Sequence, residues 1–177
     1  MAVLDIRTFG DPVLRQRARE IEAVTDVHRR LVADMLDTMR AAPGVGLAGT
    51  QVGVVERVFV WEVEDAFGAI VNPRITARSS DTIEEEEGCL SLPGLVYPVV
   101  RAAAVTVEGL DENGAPVRME AEELLARVIQ HETDHLDGIL FIDRLPEALK
   151  REALRRLSDD ALGLVRPAPA RAGEVLP

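Results

Sequence analysis

The sequence is short of two kinds of side chain: it has one cysteine, Cys89, and only 3% aromatic residues. A single cysteine excludes an internal disulfide and suits a reducing compartment. Hydrophobic residues still make up 47% of the 177 positions, which is enough for one domain to bury an ordinary core. No apolar run approaches the roughly 20 residues that cross a bilayer, and residues 1–10 lack an export signal. We therefore expect a cytoplasmic domain without membrane attachment.

Basic residues are also outnumbered, with 20 Lys and Arg against 31 Asp and Glu and a net charge of −11. A charge of this sign repels phosphate backbones and anionic lipid surfaces. It excludes stable nucleic-acid binding and membrane-surface binding as general functions of the chain.

Apolar residues spaced three and four apart predict three helices. They run from Asp26 to a stop at Pro43-Gly44, from Glu122 to Leu136, and from after Pro146 to about Leu157. A short helical turn is predicted at Asp11-Pro12, where an N-cap precedes proline. We expect residues 1–157 to form a single domain and residues 158–177, which contain several prolines, to form a disordered tail.

Segments rich in β-branched and apolar residues predict strands. They cover residues 57–63, 69–71, 104–107 and 117–119. Between the last two, Asp111 to Gly114 supplies the turn chemistry of a β-hairpin. Strands and helices do not alternate as they do in βαβ units, so the fold class is α+β.

The sharpest motif is His131-Glu132-Thr133-Asp134-His135. On a helix, residues four apart share a face with Cβ atoms roughly 5–6 Å apart, so the two imidazoles can bind one metal ion. Glu132 projects to the side of that pair and suits a general base. A polar helix surface is the ordinary interpretation of a lone histidine such as His28. Two of the chain's three histidines stand at ligand spacing in an otherwise apolar helix, which favours a metal site.

A catalytic ion needs at least a third protein ligand and an open position for water. Zinc peptidases with this helical motif often take it from a distant glutamate or histidine, and Glu84 to Glu87 offer carboxylates. Cys89 offers a thiolate instead, although a free cysteine is more often a buried, inert residue.

Three segments, in this order along the chain, resemble the motifs of the peptide deformylase family. They are Gly44-Val45-Gly46-Leu47-Ala48-Gly49-Thr50-Gln51, Glu87-Gly88-Cys89-Leu90-Ser91 and Gln130-His131-Glu132-Thr133-Asp134-His135. The first is weak evidence alone and the third occurs in unrelated metallopeptidases, but their conjunction is specific. The resemblance extends from about Val3 to about Leu145.

The resemblance implies an α+β fold in which antiparallel sheets pack around a central helix bearing the HExxH motif, followed by a C-terminal helix. It implies that Cys89, His131 and His135 bind one divalent metal, and that Glu132 is the catalytic acid and base. The metal that it favours is Fe(II), whereas the donor set also accommodates zinc, nickel or cobalt. The implied reaction is removal of the formyl group from formyl-methionine at the start of newly made polypeptides, with release of formate.

The resemblance also assigns residues to the substrate. Gln51, through its side-chain amide, and Leu90, through its backbone N–H, stabilise the oxygen of the formyl group, while Val45 and Gly46 line the substrate pocket. Arg127 departs from the family, because many relatives have an apolar pocket residue there. We expect its guanidinium either to reach the pocket mouth and contact the peptide backbone, or to pair with a nearby glutamate.

Two other functions share part of this pattern. A zinc metallopeptidase would use the helical motif but gives no reason for the cysteine and glutamine segments, and a non-catalytic metal-binding relative would not need Glu132 and Gln51. The chain is expected to be a monomer. Its last helix is locally basic, which favours either a solvated face or a transient contact with the ribosome. The basic residues are Arg144, Lys150, Arg151, Arg155 and Arg156.

Overall fold

The computed structural model describes residues 2–161, which form three α-helices, seven β-strands and three short 3-10 helices. The α-helices are α1 (Asp26–Ala41), α2 (Glu123–Leu136) and α3 (Glu147–Ala161). The strands are β1 (Gly46–Ala48), β2 (Val58–Val63), β3 (Ala66–Arg78), β4 (Thr82–Gly88), β5 (Val96–Ala102), β6 (Ala104–Leu110) and β7 (Pro116–Glu122). The 3-10 helices are Pro12–Arg15, Gly49–Val52 and Phe141–Arg144. Within these residues, no helix has the length and apolarity that crossing a membrane requires.

Two antiparallel sheets provide the framework. The larger sheet has the strand order β1-β2-β3-β6-β7, and the smaller one pairs β4 with β5. Because β4 leads directly into the Cys89 segment, the small sheet fixes where that segment begins. The pairing of β3 with β6 shifts register between Val71 and Arg74 and again between Ile75 and Ala77. Irregularities of this kind bend a strand and increase its twist.

Helix α2 is the central element of the fold. Every residue from Ala126 to Leu136 is buried, and the helix contacts strands of both sheets. Its apolar residues Val128 and Ile129 pack in one core cluster with Phe59 and Val107 of the larger sheet. The predicted α+β fold with a central motif helix is therefore confirmed, and the motif residues are held on a helix surrounded by protein.

The C-terminal helix covers the other side of the Cys89 segment. Ala153 and Leu157 of α3 belong to a second core cluster that contains Cys89 and Tyr97. The helix continues to Ala161, four residues beyond the predicted end at Leu157. The rest of the predicted disordered tail, residues 162–177, lies outside the described residues.

The hairpin between β6 and β7 forms at the predicted position, but the side chain of Asp111 organises it. Its Oδ1 accepts hydrogen bonds from the N–H groups of Asn113 and Ala115, each at 2.8 Å. Gly114 adopts a φ of 83°, a conformation that glycine reaches without steric strain. The loop is thus longer than a two-residue Asn-Gly turn.

Candidate metal centre and active site

Three side chains that are distant in sequence converge beside α2. The ligand atoms of Cys89, His131 and His135 all lie within 4.8 Å of one another. Cys89 Sγ is 3.2 Å from Nε2 of His135, which is 3.1 Å from Nε2 of His131. All three residues are buried. The structure therefore brings together the predicted thiolate and two imidazoles, and the carboxylates of Glu84 to Glu87 do not complete this cluster.

The donor set and its surroundings fit a metal ion. One sulfur and two imidazole nitrogens are the ligands that zinc and other transition metals prefer in proteins. Among the described residues, neither carboxylate oxygen of Glu132 has a hydrogen-bond partner although the side chain is buried. A buried carboxylate without a donor is costly unless a ligand supplies one. The centre thus has its protein ligands and an acceptor that a bound water can use.

Glu132 lies against the backbone of Gly46. A Cβ atom added to Gly46 would lie 2.3 Å from Oε1 of Glu132, so only glycine leaves room for this carboxylate. Burial raises the pKa of the Glu132 carboxyl to about 7. A group with this pKa can both accept and donate a proton near neutral pH.

Glu87 connects one ligand imidazole to two arginines. It is fully buried, and its Oε1 lies 2.6 Å from Nδ1 of His131. Arg101 donates to both carboxylate oxygens, at 2.6 and 3.0 Å, and Arg127 donates to Oε2 at 3.0 Å. Burial opposes ionisation, but the contacts with His131 and Arg101 outweigh it and hold the pKa of Glu87 below its usual range. An ionised Glu87 accepts the Nδ1–H hydrogen bond and leaves Nε2 of His131 free for a metal.

The ion-pair network continues from Glu87 toward the surface. Arg101 donates from its NH1 group to Oδ2 of Asp134 at 2.6 Å. Arg144 donates to both oxygens of Asp134, at 2.6 and 3.0 Å. Sequence reasoning considered Glu87 only as one of four carboxylates that could bind the metal, and it did not single out Arg101 or Asp134. The available signals were the place of Glu87 in the cysteine segment and that of Asp134 between the histidines.

Arg127 lies inside the protein and faces the small sheet. It is only 3% exposed. Besides its bond to Glu87, its guanidinium donates to the carbonyl oxygens of Val99 and Ile83, each at 3.0 Å. The prediction that this group reaches the pocket mouth does not fit these contacts, because the strands β4 and β5 supply its acceptors. The alternative, a glutamate partner, is the arrangement observed.

Gln51 has a fixed side-chain orientation. Its Oε1 accepts a hydrogen bond from the Ala48 N–H at 2.7 Å, which directs Nε2 toward the cysteine segment. There Nε2 lies 3.2 Å from Oγ of Ser91 and 3.6 Å from Sγ of Cys89. The amide donor predicted for the formyl oxygen is thus beside the ligand cluster.

The remaining predicted substrate residues surround the same place. Val45 is buried and Leu90 is half-buried. A Cβ atom added to Gly44 would lie 2.8 Å from Cδ1 of Leu90, so the glycine segment and the cysteine segment touch. The N–H of Leu90 donates to no acceptor among residues 2–161, which leaves it available to a ligand.

Comparison with known proteins identifies the same family as the motifs. A family model described as polypeptide deformylase matches residues 3–151. A peptide deformylase of Acidothermus cellulolyticus is 49% identical over 159 residues, covering 90% of this chain and 88% of that protein. A crystal structure of the enzyme from Legionella pneumophila superposes with a TM-score of 0.85 at 40% identity and covers 94% of this chain and 100% of that one. One from Ehrlichia chaffeensis in complex with actinonin gives 0.86 at 37% identity, covering 90% and 98%.

Proposed function

We propose that the Cys89, His131 and His135 centre carries out the reaction of the family to which this chain belongs. That family is the polypeptide deformylase family, and the chain therefore removes the N-formyl group from nascent polypeptides by hydrolysis. The observation that supports this assignment most directly is the buried Glu132 carboxylate, which has no partner among the described residues and lies beside three converging ligand atoms. Residues 1–157 are proposed as the catalytic domain.

One divalent metal ion would be held by the thiolate and the two imidazoles, with Fe(II) as the ion used in the cell and zinc, nickel or cobalt as ions that the same donors accommodate. A bound ion supplies Lewis acidity toward the formyl oxygen and lowers the pKa of a bound water toward neutrality. The protein's part is to orient the ligands and to fix the imidazole tautomer that leaves a nitrogen free for the ion. The Glu87 carboxylate does this for His131 through the 2.6 Å contact to Nδ1.

Glu132 would transfer the proton twice. It first accepts a proton from the water that attacks the formyl carbon, and it then donates that proton to the departing amine, which becomes the new N-terminus. The pKa of about 7 serves both steps. Gly46 keeps the space that the carboxylate needs, so the base stays in contact with the reacting water.

The oxygen of the formyl group gains negative charge during attack and needs donors that are already in place. Gln51 Nε2 and the Leu90 N–H would supply them, because the first is oriented by its bond to Ala48 and the second has no acceptor in the described part of the chain. Val45 and Gly46 would line the small pocket for the formyl group. Arg127 is proposed to act on the substrate only indirectly, through Glu87.

The deciding experiment compares formate release from a formyl-methionyl tripeptide by the metal-loaded wild type and by Glu132→Gln. We expect the variant to keep one metal ion per chain and to lose about 10²- to 10⁴-fold in kcat. Glu123→Gln, an exposed carboxylate on the same helix, is the matched control and should retain full activity. A metal-replete Glu132→Gln protein with turnover near that of the wild type would exclude the assigned role.

The chain is proposed to work as a cytoplasmic monomer that meets nascent chains near the ribosome. A transient ribosome contact would use the exposed Arg155 and Arg156, which form no ion pair within residues 2–161, although Arg156 donates to the carbonyl oxygen of Gly94 at 3.2 Å. Three other basic residues are ion-paired. Arg144 pairs with Asp134, Lys150 with Asp143 and Arg151 with Glu147. This pairing favours the solvated-face interpretation of the helix. Co-sedimentation with ribosomes, compared between the wild type and an Arg155→Glu, Arg156→Glu double variant, tests the contact.

A further inference from the structure

A cavity of about 640 Å³ lies on the side of α2 that faces away from the metal centre. Thr133 and Asp137 line it, and Thr133 follows His131 by two residues. Two residues turn an α-helix by about 200°, so the Thr133 side chain points away from the two ligand imidazoles. The cavity is therefore separate from the site that performs the hydrolysis.

The walls of this cavity are basic in an acidic protein. They contain four arginines and two carboxylates, a formal excess of two positive charges, whereas the whole chain carries −11. The charged residues are Arg17, Arg57, Arg74, Arg78, Glu20 and Asp137. A concave surface with a net positive charge raises the local concentration of anions.

Arg57 forms the fixed part of the wall. It is 9% exposed and donates to Oδ1 of Asp137 at 2.7 Å. It also donates to the carbonyl oxygens of Leu136 and Pro73, each at 3.4 Å. These contacts use three of the five N–H donors of a guanidinium. A buried and tethered arginine is already ordered before any ligand binds, which reduces the entropy cost of binding.

Three other arginines are available to a ligand. Arg78 is exposed, and its guanidinium has no ion pair or hydrogen bond with any residue of 2–161, since its pairing with Val105 uses the backbone alone. The side chain of Arg17 is 83% exposed, and its contact with Asp137 is long, at 3.9 Å. Arg74 pairs with Glu20 at 2.7 Å but remains largely exposed. Each can turn donors toward an anion without breaking a buried contact.

Thr133 provides an independent sign that a ligand belongs here. The residue is 92% buried, since only 8% of its surface is exposed, and its Oγ1 has no hydrogen-bond partner among the described residues. A buried hydroxyl without a partner is unfavourable to the fold, because it has lost its hydrogen bonds to water. A ligand oxygen in the cavity that Thr133 lines would be an acceptor for it.

We propose that this cavity binds a phosphate group. Two uncompensated positive charges match the charge of roughly −1.5 to −2 that a phosphate monoester carries at pH 7. Arginine is the side chain best shaped for phosphate, because its planar fork donates two parallel hydrogen bonds. The volume of the cavity is within the roughly 300–1,000 Å³ typical of small-molecule sites.

The phosphate has two chemical sources, a compact phosphorylated molecule or the backbone of an RNA. Arg78 also lines a neighbouring cavity of about 340 Å³ that includes Arg144 and Ser79. A phosphodiester chain would contact both cavities, whereas a compact phosphate would contact only the first.

The test is a titration of the full, zinc-loaded, ¹⁵N-labelled chain with inorganic phosphate and, separately, with a uridine RNA octamer, followed by NMR. We expect saturable shifts of the amides of Arg17, Ile75 and Thr133. The Arg17→Gln, Arg78→Gln double variant should bind phosphate at least tenfold more weakly with an unchanged thermal midpoint, because neither side chain holds the fold together. Arg30→Gln is the matched control, since Arg30 is exposed on α1 and its side chain has no ion pair or hydrogen bond with any residue of 2–161.

Each outcome of the titration either supports or overturns the proposed phosphate site. If the RNA binds at least tenfold more tightly than phosphate and also shifts the Ser79 and Arg144 amides, the RNA backbone is supported as the source of the phosphate. If the RNA binds no more tightly than phosphate, a compact phosphorylated molecule is supported instead. Shifts centred on Gly46 and Leu90 would overturn the proposal, because they place the anion at the metal. The absence of saturable shifts with both probes, or equal weakening by the double variant and by Arg30→Gln, would also overturn it.

Discussion

The Cα of Gly46 faces the carboxylate of Glu132 so closely that a Cβ atom at position 46 would lie 2.3 Å from Oε1. Real Cβ atoms do not approach a heavy atom at this distance, so a side chain at 46 must displace the carboxylate. Since both oxygens of Glu132 are buried and without a partner in residues 2–161, the position of this group depends on its packing alone.

Gly46→Ala should therefore lower activity more than it lowers stability. Displacement of a catalytic group by about 1 Å can reduce turnover by about 10², while overpacking by one methyl group destabilises by about 1–3 kcal/mol. Formate release and urea unfolding measure the two effects. Gly44→Ala is the control, because its Cβ would meet the flexible end of Leu90 at 2.8 Å, and it should retain more activity. Equal activity of the two alanine variants would show that the carboxylate is not held by Gly46.

Glu87→Gln should weaken metal binding. The carboxylate contacts His131 Nδ1 and receives three hydrogen bonds from Arg101 and Arg127. Loss of the partner that orients a ligand histidine typically lowers metal affinity by about 10- to 100-fold. Competition with a zinc chelator measures the change. Glu86→Gln, its exposed neighbour on β4, should leave the affinity unchanged, and an equal loss in both variants would point to a general effect of charge.

Asp143 should contribute stability that disappears in acid. Burial opposes its ionisation, but Arg15, Lys150 and the Leu140 N–H outweigh this and lower its pKa below 3.8. A folded pKa below the unfolded value means that the stabilisation is complete above pH 3.8 and is lost as the pH falls through the folded pKa. Asp143→Asn should thus be less stable than the wild type by about 1–2 kcal/mol at pH 7, and the difference should shrink below pH 4. Urea unfolding between pH 7 and pH 3 measures it, and a difference that grows in acid would contradict the assignment.

The identity of the metal predicts a response to oxygen. If the ion is Fe(II) bound to the Cys89 thiolate, exposure to air should inactivate the enzyme, because both the ferrous ion and the sulfur can be oxidised. Nickel-loaded protein should keep its activity under the same conditions. Metal content, thiol titration and formate release before and after exposure to air separate the two cases. Iron-loaded protein that keeps its iron, its thiol and its activity in air would argue against this prediction.

The ligand cluster could be predicted from sequence because each of its parts carries a local signal. His131 and His135 are related by helix periodicity, and Cys89 stands in a segment with its own motif. Arg101 gave no such signal. It lies on β5, a strand that was not predicted and that contains Pro98, and its partner Glu87 is reached only because β4 and β5 pair in the observed register.

The same limit explains why the sequence left two positions open for the Arg127 guanidinium. Its spacing of four from His131 correctly placed it on the motif face of α2. Whether a long cation on that face extends to solvent or turns inward depends on the acceptors offered by other elements. The carbonyl groups of Ile83 and Val99 provide them, and no pattern within α2 reveals that these strands pass there.

Arg127→Met should leave recognition of the peptide unchanged and weaken the protein. Methionine preserves the unbranched apolar part of the side chain, so the change removes the charge and its hydrogen bonds with little loss of volume. Since Arg101 still pairs with Glu87, we expect a loss of about 2 kcal/mol, below the roughly 3–5 kcal/mol for a buried ion left wholly unpaired. The ratio of KM values for formyl-methionyl peptides of two, three and four residues should match that of the wild type, because the side chain is only 3% exposed and its guanidinium contacts the strands. Urea unfolding and steady-state kinetics give the two readouts. A KM that rises selectively for the longer peptides, with unchanged stability, would instead support a contact between the Arg127 guanidinium and the peptide backbone.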